Sequence, residues 1–235
     1  MNKPKFILFD AGRTLIDYSK IDTLRGVRAL MPHITSNPKN HTVEVIEAET
    51  NRIFALFEQA RARLFEVPAQ TILKLVIDTL DIEFDISVAE VERIIWSESS
   101  IIDPVPGVEE LLDYLNEQKI ETGVISNLDF SGYLLKERLD VIFPRNQFKF
   151  VIASGDYGFR KPRPEFYTAG MVKCGCEPSE IWYVGDKVSV DVKGSEACGM
   201  IPVLYQTARS GESVPSGITV IDNYAKLIKL LEQCK

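Results

Sequence analysis

Lys5-Phe-Ile-Leu-Phe-Asp10 decides the fold of this chain: four apolar residues run straight into a carboxylate, and Ala11-Gly12-Arg13-Thr14 then breaks the run. A strand buried on both faces reads as a continuous apolar run rather than an alternation. In open α/β sheets, ligands bind in the crevice at the carboxyl ends of such strands, so Asp10 is placed for chemistry. Three further apolar runs end in polar groups: Val124-Ile125 before Ser126-Asn127, Phe150-Val151-Ile152 leading toward Lys161-Pro162, and Ile181-Trp182-Tyr183-Val184 before Gly185-Asp186. Together they describe one site.

Outward from the first strand the pattern changes from period 2 to period 3.6 and stays helical for about ninety residues, too long for an ordinary crossover. An insertion is implied, with helices expected over Ile21 to Leu30, Val43 to Phe65, Ala69 to Leu80 and Val88 to Trp96. Ser87-Val-Ala-Glu90 has the form of a capping box. Asp103-Pro104-Val105-Pro106-Gly107 then stops the helix and returns the chain to the core. Beyond it, helices over Val108 to Gln118, Tyr133 to Leu139, Pro164 to Cys174, Val190 to Ala197 and Tyr224 to Gln233 alternate with strands. The strands are expected over Glu121 to Ile125, Phe148 to Ala153, Ile181 to Val184, Ile201 to Tyr205 and Ile218 to Ile221. Such alternation predicts an α/β fold, a doubly wound, Rossmann-like parallel sheet. The expected division is a core of residues 1–16 and 104–235 with an inserted α-helical cap over residues 17–103.

At 235 residues the chain is long enough to bury a full core without a metal or disulfide staple. Lys and Arg number 27 against 34 Asp and Glu, a net of −7, which argues against an extended nucleic-acid or anionic-membrane surface and for a small substrate. Cys174, Cys176, Cys198 and Cys234 lack a second pair at zinc-ligand spacing and read as reduced thiols of a cytoplasmic protein. With His33 and His41 as the whole histidine complement, a histidine-based metal site or base is not expected. Phe6 to Phe9 is far too short for a signal-peptide core. No stretch approaches the roughly eighteen apolar residues of a membrane span, and the sequon Asn40-His41-Thr42 reads as chance in a protein that is not exported.

Phosphoryl transfer through an aspartate needs a carboxylate to attack, a divalent cation, a positive group on the phosphate oxygens and small donors to orient them. Asp10 is the candidate nucleophile. Asp186, with Asp191 behind it or beside it, can hold a hard cation, and magnesium fits a site of carboxylate oxygens, a carbonyl such as that of Gly12, and water. Ser126 can donate to a phosphate oxygen, Asn127 can add a hydrogen bond or face the inserted segment, and Lys161 can place a fixed positive charge beside nucleophile and phosphate. Each has a bland reading as turn, helix cap or solvated loop; their order at successive strand ends favours the functional one.

Phe9-Asp-Ala-Gly-Arg-Thr-Leu15, Ile125-Ser-Asn127, Lys161-Pro-Arg-Pro-Glu-Phe166, and Gly185-Asp-Lys-Val-Ser-Val-Asp191 with Lys193-Gly-Ser-Glu-Ala-Cys-Gly199 resemble the four motifs of the haloacid dehalogenase-like hydrolase superfamily. The resemblance implies a Rossmann-like core with a helical cap between the first and second motifs. It also implies Asp10 as nucleophile, Ser126 and Lys161 on phosphate and nucleophile, and Asp186 and Asp191 serving magnesium. One departure stands out. Family phosphatases carry a second aspartate two residues after the nucleophile, as general acid and base, where this chain has Gly12. Asp17 and Arg13 are the nearest substitutes, and Arg13, where the family usually has glycine, reads equally as a ligand for a substrate anion and as a surface arginine.

Four functions fit these residues: a magnesium-dependent phosphohydrolase of a small phosphorylated metabolite, a 2-haloacid dehalogenase, a phosphonatase, and a catalytically weak or silent binding protein. The dehalogenase reading has Arg25 and Arg28 for a carboxylate substrate but meets the wrong residues at Gly12 and Gly185-Asp186. The phosphonatase reading needs a reactive lysine among Lys20, Lys39 and Lys74. Phe54 and Phe57, three apart on the long helix, read as core packing rather than as a binding surface.

Overall fold

The computed structural model describes residues 2–206 and 212–234. The chain runs through β1 (Phe6–Phe9), β2 (Ile16–Ile21), α1 (Thr23–Leu30), β3 (Ile34–Ser36), α2 (Val43–Leu56), α3 (Glu58–Ala62), α4 (Ala69–Leu80), β4 (Glu83–Phe84), α5 (Val88–Ser99) and β5 (Ser100–Pro104). It continues through α6 (Val108–Glu117), β6 (Glu121–Ser126), α7 (Gly132–Ile142), β7 (Phe148–Ala153), α8 (Ser154–Tyr157), α9 (Pro164–Cys174) and β8 (Ile181–Gly185). A π-helical turn over Val188–Val192 leads into α10 (Lys193–Ala197), β9 (Ile201–Tyr205), β10 (Thr219–Ile221) and α11 (Tyr224–Glu232).

Six strands form one parallel sheet in the order β10-β9-β8-β1-β6-β7. The order reverses at β1: β6 and β7 lie on one side of it, β8 and β9 on the other, and such a switch point opens a crevice at the strand ends. Register aligns the ends, with Phe9 beside both Val124 and Val184. The alternation within β1 splits its side chains between two cores. Ile7 and Phe9 pack with Leu111, Leu135, Trp182 and Leu227, while Phe6 and Leu8 pack with Ile125, Phe166, Tyr167 and Tyr183. All four residues of β1 are fully buried, each worth about 1.5–3 kcal/mol, which is why the run carries no polar residue until Asp10.

Beyond β1 the chain reverses at once. The carbonyl of Ala11 accepts from the amides of Leu15 and Ile16 at 2.8 and 3.0 Å, and Arg13 takes a left-handed conformation with φ 60°. That is a position where glycine is the unstrained residue. The predicted helix from Ile21 starts instead at Thr23, capped by Asp22 Oδ1, which accepts from Arg25 N at 3.0 Å. The residues before it form β2, paired antiparallel with β5 from Ile16↔Pro104 to Ile21↔Ser100.

This two-stranded stalk leads to a segment with its own core, in which Val27, Ile46, Ile53, Ile72, Val76 and Ile95 come together. The predicted continuous helix over Val43 to Phe65 is broken. Phe57 leaves helical geometry with ψ 2°, and Leu64 at φ 63° closes the short α3. Phe54 and Phe57 do pack against the segment's core, as their spacing predicts. Helix α5 begins where the capping pattern places it, with Ser87 Oγ accepting from Glu90 N at 3.2 Å.

A second tether joins this segment to the sheet domain. In the loop after α3, Arg160 N donates to Leu64 O at 3.0 Å and Glu66 N to Gly158 O at 2.9 Å. The buried Glu66 carboxylate accepts from Ser154 Oγ at 2.7 Å and pairs with Arg160 and Arg61. Arg61 also reaches Asp129 at 2.9 Å. Among the described residues, no helix is long and apolar enough to cross a membrane.

Candidate active site

Asp10 sits at the end of β1, where its amide still joins the ladder by donating to Val184 O at 2.9 Å. Its carboxylate meets Lys161, whose side chain is 2% exposed and whose ammonium donates to Asp10 Oδ1 at 2.7 Å, Tyr183 Oη at 2.8 Å and Asp191 Oδ1 at 2.9 Å. Three acceptors use all three protons of the ammonium. Burial alone would depress its pKa, but the charges of Asp10 and Asp191 outweigh burial and raise it. Lys161 is therefore a permanent cation at working pH.

The backbone of Lys161 is fixed with equal economy. Asn127, one residue beyond β6, accepts from Lys161 N through Oδ1 at 2.7 Å and donates from Nδ2 to Lys161 O at 2.9 Å. The amide expected to face a phosphate or the inserted segment is thus engaged with the lysine. Ser126, nearly buried, ends β6 beside it and lines the same cavity.

Asp191 is held from both sides. Its Oδ1 accepts from Lys161 and, at 3.3 Å, from Tyr183 Oη, while Oδ2 accepts from Lys187 N at 3.0 Å. Gly185 makes the approach possible: a Cβ there would stand 2.4 Å from Asp191 Cγ. Tyr183 went unnoticed in the sequence because a tyrosine inside an apolar strand reads as core. Burial first, and then Asp191 and Asp10, push its phenol well above the ordinary value, so it stays a neutral donor and acceptor.

Asp186 completes the group. Oxygen atoms of Asp10, Asp186 and Asp191 all lie within 4.8 Å of one another, the one such acidic cluster among the described residues. Burial, followed by the charges of Asp10 and Asp191, pushes the Asp186 carboxyl up to about 6; Asp10 is raised chiefly by burial, against the pull of Lys161. Three carboxylates against one ammonium are short of positive charge, and an all-oxygen donor set of this kind suits a hard divalent cation.

These groups form one end of a cavity of about 740 Å³. Gly12 and Arg13 also line it, Arg13 as an exposed side chain. A Cβ built on Gly12 meets nothing within 4 Å. The far walls come from the helical segment and the β6–α7 loop, where apolar Val27, Phe54, Ile95, Trp96 and Phe130 alternate with polar Tyr18, Thr23, Thr50, Asn51 and Ser99. Phe54 therefore serves both as packing and as cavity lining, which helical spacing alone did not separate.

Other candidates lie elsewhere. Arg25 and Arg28 are exposed, Arg25 pairing with Glu98 at 3.4 Å, and neither reaches the cavity. Lys20 and Lys74 make exposed pairs with Asp22 and Asp78, Lys39 is exposed, and the lysines lining the cavity are Lys161 and Lys187. The four cysteines are unpaired, and burial pushes the Cys174 thiol up to about 12.

The chain is 28% identical over 116 residues to glyceraldehyde 3-phosphate phosphatase of Methanopyrus kandleri, covering 48% of each. It is 32% identical over 106 residues to the enzyme of that name from Methanocaldococcus jannaschii, covering 44% of this chain and 45% of that protein. The chain thus spans about half the length of these curated relatives. In fold it is similar to a 2-haloacid dehalogenase from Pseudomonas syringae, with TM-score 0.63, 19% identity and 99% of both chains covered. A phosphatase from Thermococcus onnurineus superposes with TM-score 0.56 at 18% identity, covering 100% of this chain and 99% of the other. The haloacid dehalogenase-like hydrolase family model matches residues 7–204, from β1 into β9, and the chain belongs to that family.

Proposed function

We propose that this protein is a magnesium-dependent phosphohydrolase of a small phosphorylated molecule, with Asp10 as nucleophile, Ser126 and Lys161 on the phosphate, and residues 17–103 as a cap over the site. The observation that carries this reading is the convergence of Asp10, Lys161, Asp186 and Asp191 at the switch point of the sheet. Relatives named for phosphate esters, glyceraldehyde 3-phosphate and ribulose 1,5-bisphosphate among them, support it.

Asp10 Oδ attacks phosphorus while the ester bond breaks, and water then cleaves the aspartyl phosphate to orthophosphate and the free carboxylate. Lys161 fixes the orientation of the Asp10 carboxylate and balances charge on the phosphate oxygens. Magnesium, held by Asp10 and Asp186 with Asp191 behind them and the Gly12 carbonyl beside them, would neutralise the charge of nucleophile and phosphate as they meet. Asp191, whose oxygens already serve Lys161, Tyr183 and Lys187, orients the lysine. Arg13 can reach a substrate anion at the cavity rim.

Phosphate release from a panel of phosphate esters and acyl phosphates, with magnesium and with a chelator, tests the proposal. Turnover that requires magnesium is expected; no turnover with any ester overturns it and favours a silent binding protein. Two variants sharpen the roles. Gly12→Asp meets open space at its Cβ and is expected to raise hydrolysis of alkyl phosphates by about 10²-fold through general acid catalysis. Asn127→Ala frees the backbone of Lys161 and is expected to lower kcat by about 10²-fold with KM little changed, since small misplacements of a charge at phosphorus are costly, and to lower the melting temperature because the buried N–H and C=O of Lys161 lose their partner.

A further inference from the structure

One buried carboxylate has no part in the chemistry above. Glu66, in the loop between α3 and α4, has a side chain 0% exposed and does not line the cavity. A carboxylate is costly to bury unless it is paired and hydrogen-bonded, and the contacts of this one lead toward the residues that hold Lys161. Its Oε2 accepts from Ser154 Oγ at 2.7 Å and pairs with Arg160, and its Oε1 accepts from Arg61 Nε at 3.3 Å.

Two loops hold Lys161 in a clasp, the Asn127 amide of one bonded to the N–H and C=O of the lysine in the other. Glu66 braces both loops. On the lysine side, Arg160 precedes Lys161 and donates its amide to Leu64 O at 3.0 Å, while Glu66 N donates to Gly158 O at 2.9 Å. Phe65 and Phe159 pair as a bridge with ring centroids 5.8 Å apart, and the Arg163 guanidinium lies over both rings, 4.9 and 4.8 Å from their centroids. On the Asn127 side, Ser154 Oγ accepts from Leu128 N at 2.9 Å. Its one proton goes to Glu66, because a charged acceptor at 2.7 Å outcompetes the Leu128 carbonyl at 3.2 Å. Arg61 reaches Asp129, two residues beyond Asn127, at 2.9 Å. Loss of the Glu66 carboxylate would therefore release a hydroxyl and two guanidinium groups together, with consequences for each loop.

Resting on the phosphohydrolase reading for its effect on turnover, we infer that Glu66 is a positioning residue of the active site: through Arg160 and Ser154 it holds the clasp between Asn127 and Lys161, and so the ammonium beside Asp10, without touching substrate. The four-carbon stem of a lysine is flexible, so the place of its ammonium depends on how firmly its backbone is fixed. Misplacement by about 1 Å can cost about 10²-fold in rate. A carboxylate that only fastened the helical segment to the sheet domain would have no bearing on the clasp.

Amide hydrogen exchange, followed residue by residue without ligand in the wild type, Glu66→Gln and Glu66→Ala, tests the clasp directly. The Lys161 amide, which donates to Asn127 Oδ1, is expected to exchange at least about tenfold faster in Glu66→Ala through local opening. The rise should be smaller in Glu66→Gln, which keeps an acceptor for Ser154. Faster exchange confined to the Glu66 and Arg160 amides, with Lys161 as protected as in the wild type, would show a fastener of the helical segment and overturn the positioning role. Phosphate release gives the second readout. Glu66→Ala is expected to lower kcat about tenfold with KM little changed. Combined with Asn127→Ala it should lose about 10²-fold, no more than Asn127→Ala alone, because both act through one clasp. Losses that multiply overturn the role as well. Where Glu66→Ala does not fold, Glu66→Gln, close to the wild type in shape, carries both measurements with the same signs. Silence with every ester overturns the phosphohydrolase reading, while exchange at Lys161 still decides the role of Glu66.

Discussion

Asp10→Asn is expected to remove magnesium-dependent phosphate release altogether, a loss on the order of 10⁴-fold or more, because an amide oxygen is a far weaker nucleophile than the carboxylate. The substitution keeps shape and leaves Lys161 its bonds to Asp191 and Tyr183. It also deletes a charge that burial and the neighbouring Asp191 disfavour, so the melting temperature is expected to hold or rise. Activity and stability should therefore part company, in phosphate release and thermal melting on the same preparation. Retention of even about a hundredth of wild-type turnover would place the nucleophile elsewhere.

Lys161→Met should harm both. The side chain is 2% exposed and contacts two carboxylates, so its removal strands buried negative charge with no cation to balance it. Breaking a buried ion pair from one side typically costs about 3–5 kcal/mol, read as a lower urea midpoint without magnesium. Phosphate release should fall with it, since orientation of Asp10 and charge on the phosphate are lost together. Saturating magnesium should recover part of the stability by binding the folded state and little of the activity. A variant as stable as the wild type without the metal would mean the cluster tolerates its own charge.

What the sequence revealed follows from how local each signal is. The apolar run of β1, the polar residues at the strand ends and the alternation of helices with strands are written in neighbouring residues, and they led to Asp10, Ser126, Lys161 and Asp186. Strands β2 and β5 were missed because neither is apolar enough to read as a strand alone; Ile16 finds its partner at Pro104, and a pairing that distant leaves no local mark. The break at Phe57 was hidden because apolar spacing continues through it. Asn127 was found but one of its neighbours was not: only the fold shows that its amide meets the backbone of Lys161. Tyr183 belonged to the strand pattern in sequence and to the charge network in space. Gly12 stood out for the side chain it lacks, and its open surroundings show that nothing in the packing enforces a glycine there.

The attachments of the helical segment have a mechanical consequence: besides the β2–β5 stalk and the loop around Glu66, Glu92 accepts from Ser131 N at 2.8 Å, Ala69 N donates to Asp129 O at 2.9 Å, and Arg93 pairs with Glu137. A body attached at one point can swing in any direction; attached at several points, it keeps no rotation that leaves every bond intact. A movement that lifts the loop around Glu66 has to pull its carboxylate, 0% exposed, away from Arg160 and Ser154. That tether stands next in the chain to Lys161, so leverage on the roof of the cavity is delivered one residue from the ammonium that pairs with Asp10.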